Sequence, residues 1–512
     1  MKKYWTLPLL VVMIGIAFLA FQNYQEASTP PSDSWSREAQ IATSTVRSGL
    51  DGKQTDEGVR LAHFTDDALN LHTYDEGLNS TKEKSIPVQS TKGAEVFTGN
   101  TYSIYYAGGG LYRSDTEEQL ARSEVFLPTE NGVVYVEEQT ARYMDGDTLE
   151  TTIIAENVSD SSSLQAYDSE EGLVVSISEA EDNDIFTTVY QRNGEKISVL
   201  EEMDIELSPS LKMEEVYPLV QNGSAKLLVS AVPAFTRSSG EKSFFLTEEE
   251  GDGTPLVSIS FPDPQVEGSS LQEVEDLLVF SKNGLPTFLF RAQGYTETKT
   301  GGTEAFNIYE GTTENGSLSI TRLSNTPRLS VNPEMVNDGM VAWLDIGADT
   351  NTVFMAASDE HESFPAPAIT GDTLLRTAGK TLSMLTTGLM TIFLTVLWYA
   401  PPLLLIGAWM FRRRNPFDDE KEWSFYVSVA FYTAVALLFH QHLFKSQVLA
   451  ELPEFLGFPG SPFVLIIGFS LVAFGIVKVS GMEKWWSIPG RVAYFIGLHV
   501  LFMTVYVGPY LF

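Results

Sequence analysis

An uninterrupted apolar run from Thr381 to Phe411 constrains this chain more than any other stretch. It contains no charged residue and is followed directly by three arginines, Arg412, Arg413 and Arg414. About 20 apolar residues suffice to cross the roughly 30 Å hydrocarbon core of a bilayer. Arginines beside a membrane segment mark its cytoplasmic end. The run therefore predicts a membrane span that divides a large exported region before it from a membrane region after it.

Residues 1–22 predict an N-terminal transmembrane signal anchor. Lys2 and Lys3 precede an uncharged apolar run that ends at Phe21. Signal peptidase requires small residues at positions −3 and −1, and a cut after Ala20 would place Phe18 at −3. We therefore expect a retained anchor with a cytoplasmic N-terminus, and a cleaved signal peptide is the alternative. Residues 23–57 are rich in Ser, Thr, Pro and Asp, which predicts a polar linker.

Residues 58–364 have the pattern of an all-β domain. Short β-branched and aromatic runs alternate with pairs that favour tight hairpin turns because both residues tolerate positive φ. These pairs are Asn131-Gly132, Asp145-Gly146, Asn193-Gly194, Asn222-Gly223, Asn283-Gly284, Asn315-Gly316 and Asp338-Gly339. No amphipathic pattern long enough for an extended helix interrupts them.

The strands of this region recur in units whose spacing is close to the ~40–50 residues of propeller blades. The units begin near Gly58, Gly93, Gly132, Gly172, Gln221, Asp276 and Val336. We therefore predict an extracytoplasmic β-propeller-like domain of about seven blades, with a β-sandwich as the alternative. The last unit is short, so closure of the ring is expected to use a strand near Arg60–Phe64. No signature motif of a known propeller family is present.

The C-terminal part predicts an α-helical transmembrane bundle. Residues 365–380 form a linker, and residues 381–512 form a four-helix transmembrane domain. Its spans are predicted at Thr381–Phe411, Ser424–Phe444, Phe463–Val477 and Val492–Phe512. Pro401-Pro402 is expected to break the first span. The basic residues between spans then face the cytoplasm. This path places the protein in the cell membrane, with the large domain and the C-terminus extracytoplasmic.

The sequence predicts no catalytic, cofactor-binding or metal site. Cysteine is absent, and so are the G-x-S-x-G, H-E-x-x-H and phosphate-loop motifs. The acidic clusters Glu181–Asp184, Asp145/Asp147 and Glu248–Asp252 do not follow the spacing of a calcium-binding loop and are interpreted as solvated turns. The S-x-x-K spacing of Ser239 and Lys242 is attributed to chance.

Histidines and glycines give weaker signals. His63, His72 and His361 could meet if the two ends of the β domain close on each other. His440, His442 and His499 lie in the predicted spans and are interpreted as packing or interface residues. Gly468 and Gly475 lie seven residues apart, hence on one helix face, and are expected to permit close helix packing inside the bundle, with a contact to a partner subunit as the alternative.

Function is predicted mainly by exclusion. The net charge of −34, concentrated between the N-terminal anchor and the C-terminal spans, argues against nucleic acid as a partner. We expect a non-enzymatic binding or scaffolding protein of the bacterial cell envelope. Its expected partners are an envelope protein, peptide or glycan at the outer domain, the lipid bilayer, and a membrane protein at the bundle. The alternatives are an accessory subunit of a membrane transporter, and an extracytoplasmic hydrolase or lyase that uses propeller-face carboxylates.

Overall fold

The computed structural model consists of two compact units, a propeller within residues 29–358 and a helical unit formed by residues 3–28 and 371–511. The structure describes all residues except 1–2, 90–92, 195, 235–241, 248–254, 267, 296–305, 315–316, 327, 359–370, 413–421, 446–448, 450–451 and 512.

The propeller has seven blades, each a four-stranded antiparallel sheet. Blade one contains β2 (Leu50–Thr55), β3 (Gly58–Phe64), β4 (Ala68–Tyr74) and β5 (Ser80–Pro87), and blade two contains β6 (Glu95–Thr98), β7 (Ser103–Ala107), β8 (Gly110–Arg113) and β9 (Gln119–Arg122). Blade three contains β10 (Phe126–Pro128), β11 (Gly132–Glu137), β12 (Thr140–Asp145) and β13 (Thr151–Glu156), and blade four contains β14 (Ser163–Ser169), β15 (Gly172–Glu181), β16 (Asp184–Asn193) and β17 (Lys196–Glu206).

The remaining blades continue the same order around the ring. Blade five contains β18 (Leu211–Gln221), β19 (Ser224–Pro233), β20 (Ser243–Thr247) and β21 (Leu256–Ile259), and blade six contains β22 (Gln272–Lys282), β23 (Leu285–Gln293), β24 (Phe306–Glu314) and β25 (Ser317–Arg322). Blade seven contains β26 (Leu329–Asn337), β27 (Met340–Ile346) and β28 (Asn351–Ala357), and its outermost strand is β1 (Ala39–Ser44). The prediction of a propeller of about seven blades is confirmed.

The N-terminal strand β1 closes the ring. It pairs antiparallel with β28, from Ala39 opposite Met355 to Ser44 opposite Asn351. The predicted closing strand near Arg60–Phe64 was wrong, because those residues form β3 inside blade one. Residues 39–44 and 50–55, which the sequence placed in the polar linker, instead form β1 and β2. These two segments contain many polar residues and therefore lack the apolar pattern of a strand, although each pairs with a neighbouring strand of its blade.

The first strand of each blade faces the axis, because successive first strands contact one another around the whole ring, including blade seven against blade one. The second strands are buried on both faces between neighbouring blades. In β15 every residue from Leu173 to Ser178 is buried, and in β27 every residue from Met340 to Asp345. The fourth strand of blade one is polar: in β5 only Ile86 is buried, and Lys82 and Lys84 protect the exposed edge from pairing with another chain.

The helical unit contains eight α-helices among its described residues: α1 (Lys3–Ser28), α2 (Gly371–Gly388), α3 (Thr391–Leu394), α4 (Val396–Arg412), α5 (Trp423–Leu438), α6 (Glu454–Gly457), α7 (Ser461–Val479) and α8 (Ile488–Tyr506). Short 3-10 helices cover His440–His442, Met482–Lys484 and Gly508–Tyr510. Helix α8 is the most deeply buried of the long helices, and α1, α2, α5 and α7 contact it.

Within the described residues, three helices are long and apolar enough to cross a membrane: Trp5–Ser28, Ser461–Val479 and Ile488–Tyr510. A fourth candidate is a bent pair, Thr373–Leu394 with Val396–Ala408, whose axes differ by 46°. The bend lies at Thr395 and not at Pro401-Pro402, which are inside α4, so the predicted position of the break was wrong. The Thr395 hydroxyl donates to the carbonyl of Thr391 at 2.8 Å, a contact that bends helices.

Candidate functional site

Three carboxyl groups meet in the central channel of the propeller. Asp51 lies in β2, Glu95 begins β6 and Glu334 lies in β26, so the three come from the first strands of blades one, two and seven. These blades are neighbours in the ring. The groups are close enough to interact electrostatically: Asp51 acts on Glu95, and both act on Glu334. Each of the three side chains is half-buried.

Backbone amides fix two of these carboxylates. The N–H of Gly52 donates to Oδ1 of Asp51 at 2.8 Å, and the N–H of Thr98 donates to Oδ2. Because Thr98 belongs to β6, this second bond joins blade one to blade two. Glu95 accepts a hydrogen bond from the backbone of Gly49. The first strands therefore hold these side chains in defined positions at the channel wall.

The surroundings favour the protonated forms of all three groups. Burial raises the pKa of Asp51 to about 6, although hydrogen bonds from Thr98 and Gly52 act in the opposite direction. Burial, followed by the charge of Asp51, raises the pKa of Glu95 to about 7. Burial and the charges of both neighbours hold the pKa of Glu334 well above its usual range. The group therefore carries both protons and negative charge near neutral pH.

Irregular pairing accompanies the acidic residues of three inner strands. In blade seven the register of β26 against β27 shifts between Val331 and Glu334. In blade five the shift in β18 ends at Glu215, and in blade six the two shifts in β22 meet at Glu275. A β-bulge re-aims the side chain beside it and is common next to functional sites. The inner strands of blades one to four pair with their second strands without such shifts.

A second acidic group, on blades five and six, differs because it has basic partners. Arg291 forms ion pairs with Asp276, at 2.7 Å, and with Glu275. Lys242 pairs with Glu214 at 2.8 Å. Among the described residues, by contrast, none of the three channel carboxylates forms an ion pair, and the nearest basic influence is that of Lys53 on Asp51. We call Asp51, Glu95 and Glu334 the uncompensated triad.

The chemistry available to the uncompensated triad is the binding of a cationic group and the exchange of protons. Within the described part of the chain, no three or more His, Asp or Glu side chains are arranged to hold a metal ion. Sequence patterns do not reveal the triad, because its members are far apart in the chain and only the correct assignment of strands to blades brings them together. An acidic residue in a first strand is not a sufficient signal, because β18 and β22 also contain such residues.

The predicted solvated turns at Asp145 and Glu181–Asp184 are turns in the structure. Oδ1 of Asp145 accepts the backbone N–H groups of Asp147 and Thr148 at 3.1 and 2.9 Å, which closes the hairpin locally. Ser239, Glu248–Asp252 and His361 lie outside the described residues. His63 and His72 do come together, on adjacent strands of blade one, with stacked rings whose centroids are 5.4 Å apart. Burial lowers the pKa of His63 to about 4, so this histidine is neutral at physiological pH.

The polar side chains inside the helical unit form packing contacts. His499 of α8 is fully buried; its Nδ1 lies 2.8 Å from the Tyr432 hydroxyl, and its Nε2 lies 3.1 Å from the carbonyl of Ile466. Both ring nitrogens therefore have partners, and the histidine joins α5, α7 and α8. His440 and His442 lie on a short 3-10 helix after α5.

Gly468 and Gly475 do not mark a close helix contact. A Cβ added at either position would meet no atom within 4 Å among the described residues, so the expected close packing inside the bundle was wrong. The close approach occurs instead at Gly15 of α1, where an added Cβ would lie 2.8 Å from the side chains of Val505 and Tyr506.

No family model and no curated protein matches the chain. Its fold is similar to an oligogalacturonate lyase in complex with manganese (12% identity, 66% of this chain and 93% of that one, TM-score 0.35). It is also similar to a Trypanosoma rangeli sialidase in complex with sialic acid (10%, 64% and 59%, 0.34). A third is the β-propeller domain of the Trilobed protease from Pyrococcus furiosus (12%, 61% and 98%, 0.33).

Proposed function

We propose that this protein is a membrane-anchored, extracytoplasmic binding protein of the bacterial cell envelope whose propeller recognises a cationic group of its ligand. The uncompensated triad carries the proposal. Three carboxyl groups without a basic partner cost free energy in a folded protein, and a bound cation would remove that cost. The ligand class that fits is a peptide or glycan bearing a primary ammonium group.

The propeller supplies the remaining properties of a binding protein. Its second strands are buried between blades, so the wall of the channel is rigid and its polar groups are preorganised. The candidate membrane spans on both sides of the propeller in the sequence would keep this domain at the cell surface. Loops at the ends of a rigid scaffold then provide additional contacts.

Calorimetry of the full-length protein in detergent tests the proposal, with trilysine as the probe. An ammonium group binds the ionised triad, so trilysine should bind more tightly at pH 8 than at pH 5.5, and binding near pH 7 should release protons to the buffer. Glu95→Gln, which removes a carboxylate whose pKa of about 7 leaves it ionised at pH 8, should weaken binding about tenfold at that pH, equivalent to about 1.4 kcal/mol. The matched control is Glu57→Gln, which removes an exposed carboxylate already paired with Lys82 at 2.6 Å.

Two results would contradict this proposal. One is the absence of trilysine binding at every pH. The other is binding that both variants weaken equally, because that outcome would reflect the overall acidity of the protein and not the channel.

The triad also favours a second function, an extracytoplasmic hydrolase or lyase. A carboxyl group with a pKa near 7 beside an ionised carboxylate is the pair that general acid–base catalysis uses. If this function is present, turnover of a glycan or peptide substrate should follow a bell-shaped pH profile, and Glu95→Gln should reduce kcat at least 100-fold. A variant that binds the substrate but is as active as the unmodified protein would exclude a catalytic role for Glu95.

A further inference from the structure

We infer that α1 is a permanent helix of the helical unit, so that residues 3–28 remain in the mature protein and anchor the propeller from its N-terminal side. A signal sequence that is removed after export needs no specific contacts with the rest of the protein. Helix α1 has such contacts along its length, with α2, α7 and α8. This inference is independent of the proposed binding function.

The middle of α1 fits closely against the end of α8. Gly15 lies where any larger residue would overlap the side chains of Val505 and Tyr506. One turn earlier, the carbonyl of Val11 accepts a hydrogen bond from the Tyr506 hydroxyl at 2.7 Å. Leu19, one turn after Gly15, is 1% exposed and belongs to the core of the helical unit. These three positions are four residues apart and therefore form one face of the helix.

Polar contacts extend the same face toward the end of α1. Asn23 is 1% exposed and donates from Nδ2 to the Thr381 hydroxyl of α2 at 3.0 Å. Glu26 and Lys380 form a half-buried ion pair at 2.9 Å. We call these two pairs the clasp. A buried amide between apolar helices is costly unless it is hydrogen-bonded, so the clasp specifies both the partner helix and the register.

The opposite face of α1 has the character of a surface that meets lipid. Phe21, two residues before Asn23, is 54% exposed, and Met13 and Ile14 are similarly exposed. The helix is thus one-sided: the face with Gly15, Leu19 and Asn23 contacts α2 and α8, and an entirely apolar face remains outside. Cleavage by signal peptidase would remove a wall of the helical unit.

Permanence of α1 has a consequence for the attachment of the propeller. The propeller is connected to α1 before β1 and to α2 after β28. A single proteolytic cut in either connection would therefore leave it attached through the other. Cuts in both connections are needed to release it.

A cleavable full-length protein tests the inference directly. A site for a specific protease is inserted directly after Ser28, and an affinity tag precedes Met1. After cleavage in mild detergent, the tagged α1 should retain the rest of the chain on the affinity resin. Mass spectrometry of the untagged protein from its native host should also find peptides from residues 3–28. If the rest of the chain washes off the resin after cleavage and only α1 stays bound, the inference is overturned. Absence of those peptides from the mature protein would also overturn it.

Two variants show whether the observed face is responsible. Gly15→Leu should reduce retention of the rest of the chain at least tenfold, because the leucine overlaps α8. Gly497→Leu is the matched control, since a Cβ there meets no described atom within 4 Å, and retention should be unchanged. If Gly15→Leu prevents folding, the chain offers a second test because it has no cysteine. The pair Asn23→Cys and Thr381→Cys should form a disulfide on oxidation, and Phe21→Cys with Thr381→Cys should not; equal yields would contradict the assigned face.

Discussion

Replacement of Glu95 by glutamine should stabilise the propeller, and only at high pH. In the folded protein the pKa of Glu95 is about 7, raised by burial and by the charge of Asp51. In the unfolded chain a glutamate has a pKa of about 4.3. Between these two values the folded state binds more protons than the unfolded state, so the free energy of unfolding falls as pH rises. Above both values the loss is complete.

The magnitude follows from the difference between the two pKa values. Each unit is worth about 1.4 kcal/mol, so ionisation of Glu95 costs the folded protein roughly 4 kcal/mol at pH 8.5. Glutamine has the shape of the neutral acid and its Oε1 can still accept the backbone hydrogen bond from Gly49. Glu95→Gln should therefore unfold like the unmodified protein at pH 4.5. At pH 8.5 its Tm should be higher by roughly 5 °C.

The assay is thermal unfolding of the full-length protein in detergent, followed by near-ultraviolet circular dichroism at pH 4.5 and pH 8.5. Glu57→Gln is the control: its exposed carboxylate pairs with Lys82, which lowers the pKa of Glu57, so the substitution should bring no gain at pH 8.5. A Glu95→Gln variant whose difference from the unmodified protein is the same at both pH values would refute the reasoning. The carboxyl group would then be solvated by water in the channel, and the proposal that burial and neighbouring charge raise the pKa of Glu95 would be wrong.

Two further predictions concern the packing of each unit. Gly172, which begins β15 with a φ of +122°, should not tolerate alanine, because the added Cβ would lie 2.1 Å from the carbonyl oxygen of Arg192, and we expect a loss of roughly 2 kcal/mol in denaturant unfolding. Gly223→Ala should cost about half as much, because its φ of +76° is also strained for alanine but its Cβ would meet no described atom within 4 Å. His499→Phe should destabilise the helical unit by roughly 1–3 kcal/mol, because the Tyr432 hydroxyl and one acceptor position of Ile466 lose their partner. Thermal unfolding in detergent should show this loss in the helical signal and leave the propeller transition unchanged, and a change in both transitions would contradict it.

The sequence was sufficient to predict the class of fold and the number of blades, because turn pairs such as Asn222-Gly223 recur at regular intervals. It did not define where a blade begins. The predicted units start at Gly58, Gly132 and Gly172, and in the structure these glycines open the second strands of their blades. Glycines mark hairpins, so a pattern built on them follows the first turn of a blade and not its inner strand.

Because the predicted blade boundaries were displaced by one strand, the candidate site could not be recognised from the sequence. Asp51 was placed in a linker, Glu95 had no unusual neighbours in sequence, and Glu334 lies beside an irregular register that no sequence pattern indicates. Polar strands such as β1 are equally difficult to recognise, because their pairing partner is more than 300 residues away. Interactions between such distant residues determine how the propeller ring closes and which side chains line its channel. Local secondary-structure propensity carries no information about these interactions.

Closure by β1 has a consequence for how the chain could have arisen. The backbone N–H of Ser36 donates to the carbonyl of Ala357 at 2.8 Å, so the chain reaches the ring and leaves it at adjacent points of one blade. A domain whose ends adjoin can be inserted between two consecutive segments of another domain without separating them. Helices α1 and α2 are in direct contact, as two such consecutive segments would be. The propeller thus has the arrangement of a domain inserted between two consecutive helices of the helical unit. A shortened chain in which α1 is joined directly to α2 should preserve both pairs of the clasp.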